Sequence, residues 1–145
     1  EKAIKAIIKS HKSLTPIDLS KYSDIPTQVK EAYKTASGNY MFALHAAGFG
    51  INGDAYYYPS GKPIIIQVSA TKEGKIIDCV TLFQYETDGI GSACADKDFY
   101  SQFDGKTEED YSDIDAISGA TLTTNGYKTA ISKVFTTIKI LEGVS

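Results

Sequence analysis

Ile64-Ile65-Ile66-Gln67-Val68-Ser69-Ala70, followed by Thr71-Lys72-Glu73-Gly74-Lys75 and then Ile76-Ile77-Asp78-Cys79-Val80-Thr81-Leu82-Phe83, is the stretch that decides the fold. Two runs rich in β-branched and apolar residues flank a short charged segment ending in Gly-Lys. This is the pattern of a β-hairpin, with strands over 64–70 and 76–85. Upstream, residues 40–49 alternate as a strand does. Tyr40, Phe42, Leu44 and Ala46 share one face, and Met41, Ala43, His45 and Ala47 the other. Residues 56–58, before Pro59-Ser60-Gly61, are a weaker strand candidate.

The flanks read as helical. Residues 2–10 carry Ile4, Ile7 and Ile8 at helical spacing between lysines. Asp24-Ile25-Pro26 resembles a helix start, with Val29, Ala32 and Tyr33 as the apolar side and Ser37-Gly38-Asn39 as the stop. Beyond the hairpin, Thr87-Asp88-Gly89-Ile90-Gly91 breaks the second strand. Phe99 and Phe103 then fall four residues apart on a short helix ending near Asp104-Gly105, and residues 111–117 form an extended stretch. Over 124–141, Tyr127, Ala130, Ile131, Val134, Phe135, Ile138 and Leu141 follow the three-four spacing of one helical face. The expected class is α+β: an antiparallel sheet around a central hairpin, packed by flanking helices. Residues 1–145 read as a single domain, with a helical N-terminal segment over 1–38 and a core over 39–141.

Composition narrows the function. With 145 residues, 42% of them hydrophobic, the chain can bury a real core. A net charge of −3, from 15 basic and 18 acidic residues spread along the chain, supplies no basic face for nucleic acid. Ten Tyr and six Phe provide aromatic mass for a core or for stacking on a planar ligand. No apolar run reaches bilayer length. The start at Glu1 suggests a processed or trimmed chain, so an anchor or export signal is expected to lie outside it. Cys79 and Cys94 lack the spacing of a metal set, and no metal is expected. Cys79 reads as a buried small hydrophobe, Cys94 as an exposed residue after a glycine loop, and a disulfide between them would require an oxidising compartment. Of the two histidines, His45 reads as half-buried and structural, and His11 as solvated at a helix end.

Chemistry concentrates in Asp115-Ala116-Ile117-Ser118-Gly119-Ala120-Thr121-Leu122-Thr123-Thr124, just before the last helix. Small residues let a ligand approach the backbone, hydroxyls offer donors or an attachment point, and a helix N-terminus favours a phosphate. By itself such a run is more often a structural turn with a Thr or Asn N-cap than a cofactor site.

Ser118-Gly119-Ala120-Thr121, preceded by Asp115 and followed by Thr123-Thr124 and a helix, resembles the attachment motif of the FMN-binding domain family. That family includes subunits of sodium-translocating NADH:quinone reductase and of Rnf electron-transport complexes. The hairpin around Gly74, the loop Glu86-Thr87-Asp88-Gly89-Ile90-Gly91 and the Phe99–Gly105 region occur in the family's order, so the resemblance spans roughly 40–138. It implies FMN joined through its phosphate to Thr121, with Ser118, Gly119, Ala120, Asp115, Thr123 and Thr124 as supporting residues. Glu86, Thr87, Gly89 and Gly91 are implied beside the flavin ring. No local His or Cys base activates a Thr hydroxyl, so the partner implied is a flavin transferase that uses FAD and a divalent metal. The resemblance further implies a redox carrier rather than a stand-alone catalyst, located outside the cytoplasm and serving membrane electron-transport partners. Two departures stand out: Asp88 occupies a position where many members have Pro, and Gln84-Tyr85 replaces a common upstream His. Non-covalent FMN binding and a cofactor-free surface module are the alternatives.

Overall fold

In the computed structural model, which describes residues 14–46, 64–83 and 91–143, the hairpin lies at one side of the chain's only described sheet rather than at its centre, because the other strands all add beyond its first strand. Ile64–Ala70 (β4) pairs antiparallel with Ile76–Phe83 (β5), in a register that sets Val68 opposite Cys79 and Gln67 opposite Val80. Along β4, Ile64, Ile66, Val68 and Ala70 are buried and the residues between them only partly so. This is the period of two that the sequence shows. The connecting turn is closed by Thr71 N–H to the Lys75 carbonyl (2.9 Å), Gly74 N–H to the Thr71 carbonyl (3.0 Å) and Lys75 N–H to Thr71 Oγ1 (3.1 Å). Gly74 has φ +93°, a conformation that costs a side-chain-bearing residue about 1–2 kcal/mol.

The sheet grows outward by neighbour pairing alone. Tyr40–Ala46 (β3) pairs with β4, Val29–Lys34 (β2) with β3, and Thr15–Pro16 (β1) with β2, all antiparallel and in chain order. After β5 the chain makes a 3-10 turn over Gly91–Ala95, a one-turn helix over Lys97–Tyr100 (α1), and a second 3-10 turn over Ser101–Phe103. A long helix, Thr121–Glu142 (α2), then lies across β3 and its neighbours. Its apolar stripe of Tyr127, Ala130, Ile131, Val134, Phe135 and Ile138 is buried against Phe42, Leu44, Ile66 and Val68 of the sheet. Each such large side chain contributes about 1.5–3 kcal/mol of apolar burial, so the helix is held by packing rather than by propensity. Its far end is fixed by Gly143 at φ +72°, by the Tyr40 hydroxyl donating to the Glu142 carboxylate, and by an exposed Lys139–Glu108 ion pair at 2.7 Å.

Several expectations are corrected. The helical N-terminal segment over 1–38 is not borne out in its described part, which holds β1, a 3-10 turn at Leu19–Lys21, and β2. Val29, Ala32 and Tyr33 carry helix-like spacing because a β-bulge between Val29 and Glu31 breaks the strand alternation. The bulge lets Val29 and Ala32, three residues apart, enter one core. Residues 111–117 form turns and irregular backbone instead of an extended strand. Helix α2 begins at Thr121, three residues before the expected start at Thr124. Cys94, expected at the surface, is fully buried; Cys79 is buried as expected, and the two form no disulfide. The segments 2–10, 47–49, 56–58 and 84–90, together with His11, lie outside the described residues.

Candidate functional site

Residues 115–124 are shaped by two short-range devices and one long-range clamp. Ala120 N–H donates to the Ile117 carbonyl (3.1 Å), closing a turn in which Gly119 has φ +75°. That value at the third position of a four-residue turn is what glycine alone adopts without strain. At the helix start, Thr124 N–H donates to the Ala120 carbonyl (3.0 Å), and Thr124 Oγ1 donates to the same oxygen (2.9 Å) while accepting from Ile117 N–H (3.1 Å). One buried hydroxyl therefore pins both ends of the turn. Upstream, Gln102 Oε1 accepts from Asp115 N–H (2.8 Å), and its Nε2 donates to the carbonyls of Asp115 and Phe99 (3.2 Å each).

The four hydroxyls of the run separate by exposure. Thr123 and Thr124 are each 1% exposed and belong to the core, whereas Ser118 and Thr121 stand at the surface. Thr121 is the first residue of α2, and its N-cap, Ala120, has no side-chain acceptor to offer the first-turn N–H groups. No acidic residue occupies the first turn of this 22-residue helix. The positive end of its dipole therefore has no side-chain cap from its N-cap residue, and the exposed Thr121 hydroxyl lies beside it. Gly119 and Ala120 add no bulk there. These donors and this charge suit a phosphate group.

A cavity of about 400 Å³ adjoins the run, with Asp96, Asp98 and Asp115 on its walls beside Phe99, Gln102 and Ser118. Three carboxylates make it a poor place for an anion, which leaves the helix end as the anion-favouring point. Under the site, Phe99 and Phe103 pack on Tyr127 with ring centroids 5.0 and 5.5 Å away. The Tyr127 hydroxyl meets Thr81 Oγ1 at 2.7 Å and Cys79 Sγ at 3.4 Å, and Thr81 Oγ1 donates to the Cys94 carbonyl at 2.6 Å. Burial pushes the Cys79 thiol up to about 12 and raises the Tyr127 phenol, so neither is an acid or base near neutrality. His45 is half-buried as expected, on the sheet face opposite Phe42 and Leu44; burial first and then Lys30 lower its pKa and keep it neutral.

The structure thus gathers Asp115, Ser118, Gly119, Ala120, Thr121, Thr123 and Thr124 into one turn and helix start. Gly91 opens the 3-10 turn that leads to buried Cys94. Glu86, Thr87, Asp88 and Gly89 lie outside the described residues. Sequence reasoning missed Gln102, whose only local signal is a polar residue between Phe99 and Phe103. Among the described residues no cluster of His, Cys, Asp or Glu has the arrangement of a metal site.

An antiparallel meander under one long helix, with an exposed hydroxyl at the first residue of that helix, defines a small α+β domain with an anion-favouring point at one helix end. The profile of the FMN-binding domain family matches residues 60–136, and the chain belongs to that family. The crystal structure of Shewanella oneidensis NqrC shares the fold, with a TM-score of 0.59 at 18% identity, covering 93% of this chain and 87% of that one. No curated protein sequence matches the chain.

Proposed function

We propose that this domain is an electron carrier whose FMN is held by a phosphoester to Thr121. The observation that carries the proposal is the position of Thr121: an exposed hydroxyl at the first residue of an uncapped helix, in a member of an FMN-binding family. When bound, the flavin supplies one- and two-electron redox chemistry. The chain supplies the tether, a helix end that favours the phosphate charge, and a turn without bulk at Gly119 and Ala120.

Attachment needs outside help. The one described histidine, His45, is neutral and lies on the other face of the sheet, and Cys79 and Cys94 are buried. A flavin transferase is therefore the proposed partner. The phosphoanhydride bond of FAD breaks, the Thr121 oxygen bonds the FMN phosphorus, the hydroxyl proton is lost and AMP leaves. Covalent attachment suits a domain working outside the cytoplasm beside membrane redox partners, where a dissociated cofactor is lost to dilution. Among the described residues no helix is long and apolar enough to cross a membrane.

Denaturing intact-mass spectrometry after co-production with a flavin transferase tests the linkage. A gain of FMN less one water, mapped to Thr121 and absent from Thr121→Val, is the expected result. Unmodified protein overturns it, and flavin released on denaturation selects non-covalent binding instead. Protease accessibility of the domain in intact cells tests the placement.

A further inference from the structure

We infer that Gln102 is the positioning residue that sets the attachment run for modification, a role that rests on Thr121 being the site of flavin attachment. Residues 113–117 belong to no strand, so the backbone of Asp115 has no sheet partner. Gln102 supplies one. Its carboxamide takes the Asp115 N–H at Oε1 (2.8 Å) and gives an Nε2 hydrogen to the Asp115 carbonyl (3.2 Å), as a neighbouring strand would. The second Nε2 hydrogen goes to the Phe99 carbonyl (3.2 Å), which fixes the amide's orientation. A flipped amide would set donor against donor at Asp115 N–H.

The residues around Gln102 give the clamp a rigid base. Phe99 and Phe103 on either side of it are buried against each other and against Tyr127. Downstream, Thr124 holds Ile117 and Ala120 from inside the helix. The run is therefore gripped at Asp115 from one element and at 117–120 from another, and Thr121 follows directly. Few side chains can replace Gln102. The contact needs an acceptor and a donor in one planar fork. Asn is a methylene too short, and Glu keeps the acceptor while placing negative charge on a carbonyl.

Removing the clamp lowers the fraction of molecules whose run is in the conformation the transferase takes up. A pre-equilibrium of this kind raises the apparent KM for the acceptor protein by the inverse of that fraction and leaves kcat at saturation unchanged. The test measures FMN incorporation by intact mass, with purified flavin transferase, FAD and divalent metal, across a range of acceptor concentrations. Wild type, Gln102→Ala, Gln102→Glu and Thr121→Val are compared. For Gln102→Ala the expected result is a KM raised about tenfold, kcat within about twofold and an unchanged end-point, with Gln102→Glu between it and wild type. Amide hydrogen exchange should quicken over 113–117 and stay unchanged in the core of α2.

Wild-type kinetics in Gln102→Ala, or a loss confined to the end-point, overturns the positioning role while leaving the attachment site standing. An unmodified wild type overturns the attachment site and the positioning role together. If Gln102→Ala does not fold, the KM of Gln102→Glu and its exchange over 113–117 decide: both raised supports the role, either unchanged overturns it.

Discussion

Single atoms divide the labour in the run from Asp115 to Thr124. Thr121 and Ser118 are both exposed hydroxyls, but only Thr121 sits on the helix, next to the first-turn N–H groups. Ser118→Ala should therefore leave the FMN mass gain intact, and loss of modification in that variant would show that the turn hydroxyl participates. Thr124 spends its hydroxyl on structure, with one hydrogen bond given and one accepted. Thr124→Val keeps the volume and leaves Ile117 N–H without that acceptor, so urea denaturation should show a loss of about 1–3 kcal/mol. Gly119→Ala should cost about 1–2 kcal/mol in the same assay, because φ +75° crowds a Cβ. Thr121 stands out in the sequence, as the proposed attachment point, because the surrounding residue types match a family motif. The role of Gln102 was not, because it acts through the backbone of a residue thirteen positions later, and no periodicity or composition marks such a bond. The helix start was misplaced for a related reason: Ala120 caps without a side-chain signal, while Thr123 and Thr124 look like caps and are core.

At the scale of elements, the two described hairpin turns are built from one local formula. Thr35-Ala36-Ser37-Gly38-Asn39 repeats the hydrogen bonds of residues 71–75 atom for atom. Thr35 N–H donates to the Asn39 carbonyl, Gly38 N–H to the Thr35 carbonyl, and Asn39 N–H to Thr35 Oγ1, with Gly38 at φ +86°. Thr-x-x-Gly-x thus occurs twice in the sequence, and only its second copy lies between two clear β patterns. The first copy resembles a helix stop because the bulge in β2 gives the apolar residues before it a helical spacing. Thr35→Ala and Thr71→Ala should each lower stability by about 0.5–1.5 kcal/mol through loss of the acceptor for Asn39 N–H or Lys75 N–H, with Thr35→Ala the larger, since its hydroxyl also hydrogen-bonds Ser37 Oγ at 3.0 Å. A larger loss for Thr71→Ala in denaturant unfolding would overturn that order. Elements without such interruptions, β3, β4 and most of α2, are readable from periodicity because one face of each is buried continuously, whereas β5, which slips register against β4 twice, is readable from its β-branched and apolar composition.

For the molecule as a whole, the buried Cys79–Tyr127–Thr81 cluster under the site links stability to pH. The folded thiol of Cys79 is pushed up to about 12 by burial, while an unfolded one ionises near pH ~8.5. The neutral thiol therefore favours the fold below about pH 8.5, and that contribution is lost as pH climbs toward the folded value. Stability should fall by on the order of 1 kcal/mol between pH 8 and 9.5, and Cys79→Ala should flatten that fall in urea titrations. A slope unchanged by the substitution would assign it to other groups. The neighbour-to-neighbour order of the strands made the α+β class legible, because every strand pairing joins segments adjacent in sequence. The same order leaves β5 at the margin of the sheet, with Ile77 45% exposed and Phe83 also exposed. Residues 104–106 cross that margin: Ile76 bonds Lys106 and Gly105 through its N–H and carbonyl, and Cys79 N–H is taken by the Asp104 carboxylate. Three of the groups that would invite a foreign strand are thus already spoken for. Copies of the domain crowded together therefore meet a closed selvage along the first part of β5 and cannot zip into one another by lengthening the sheet there.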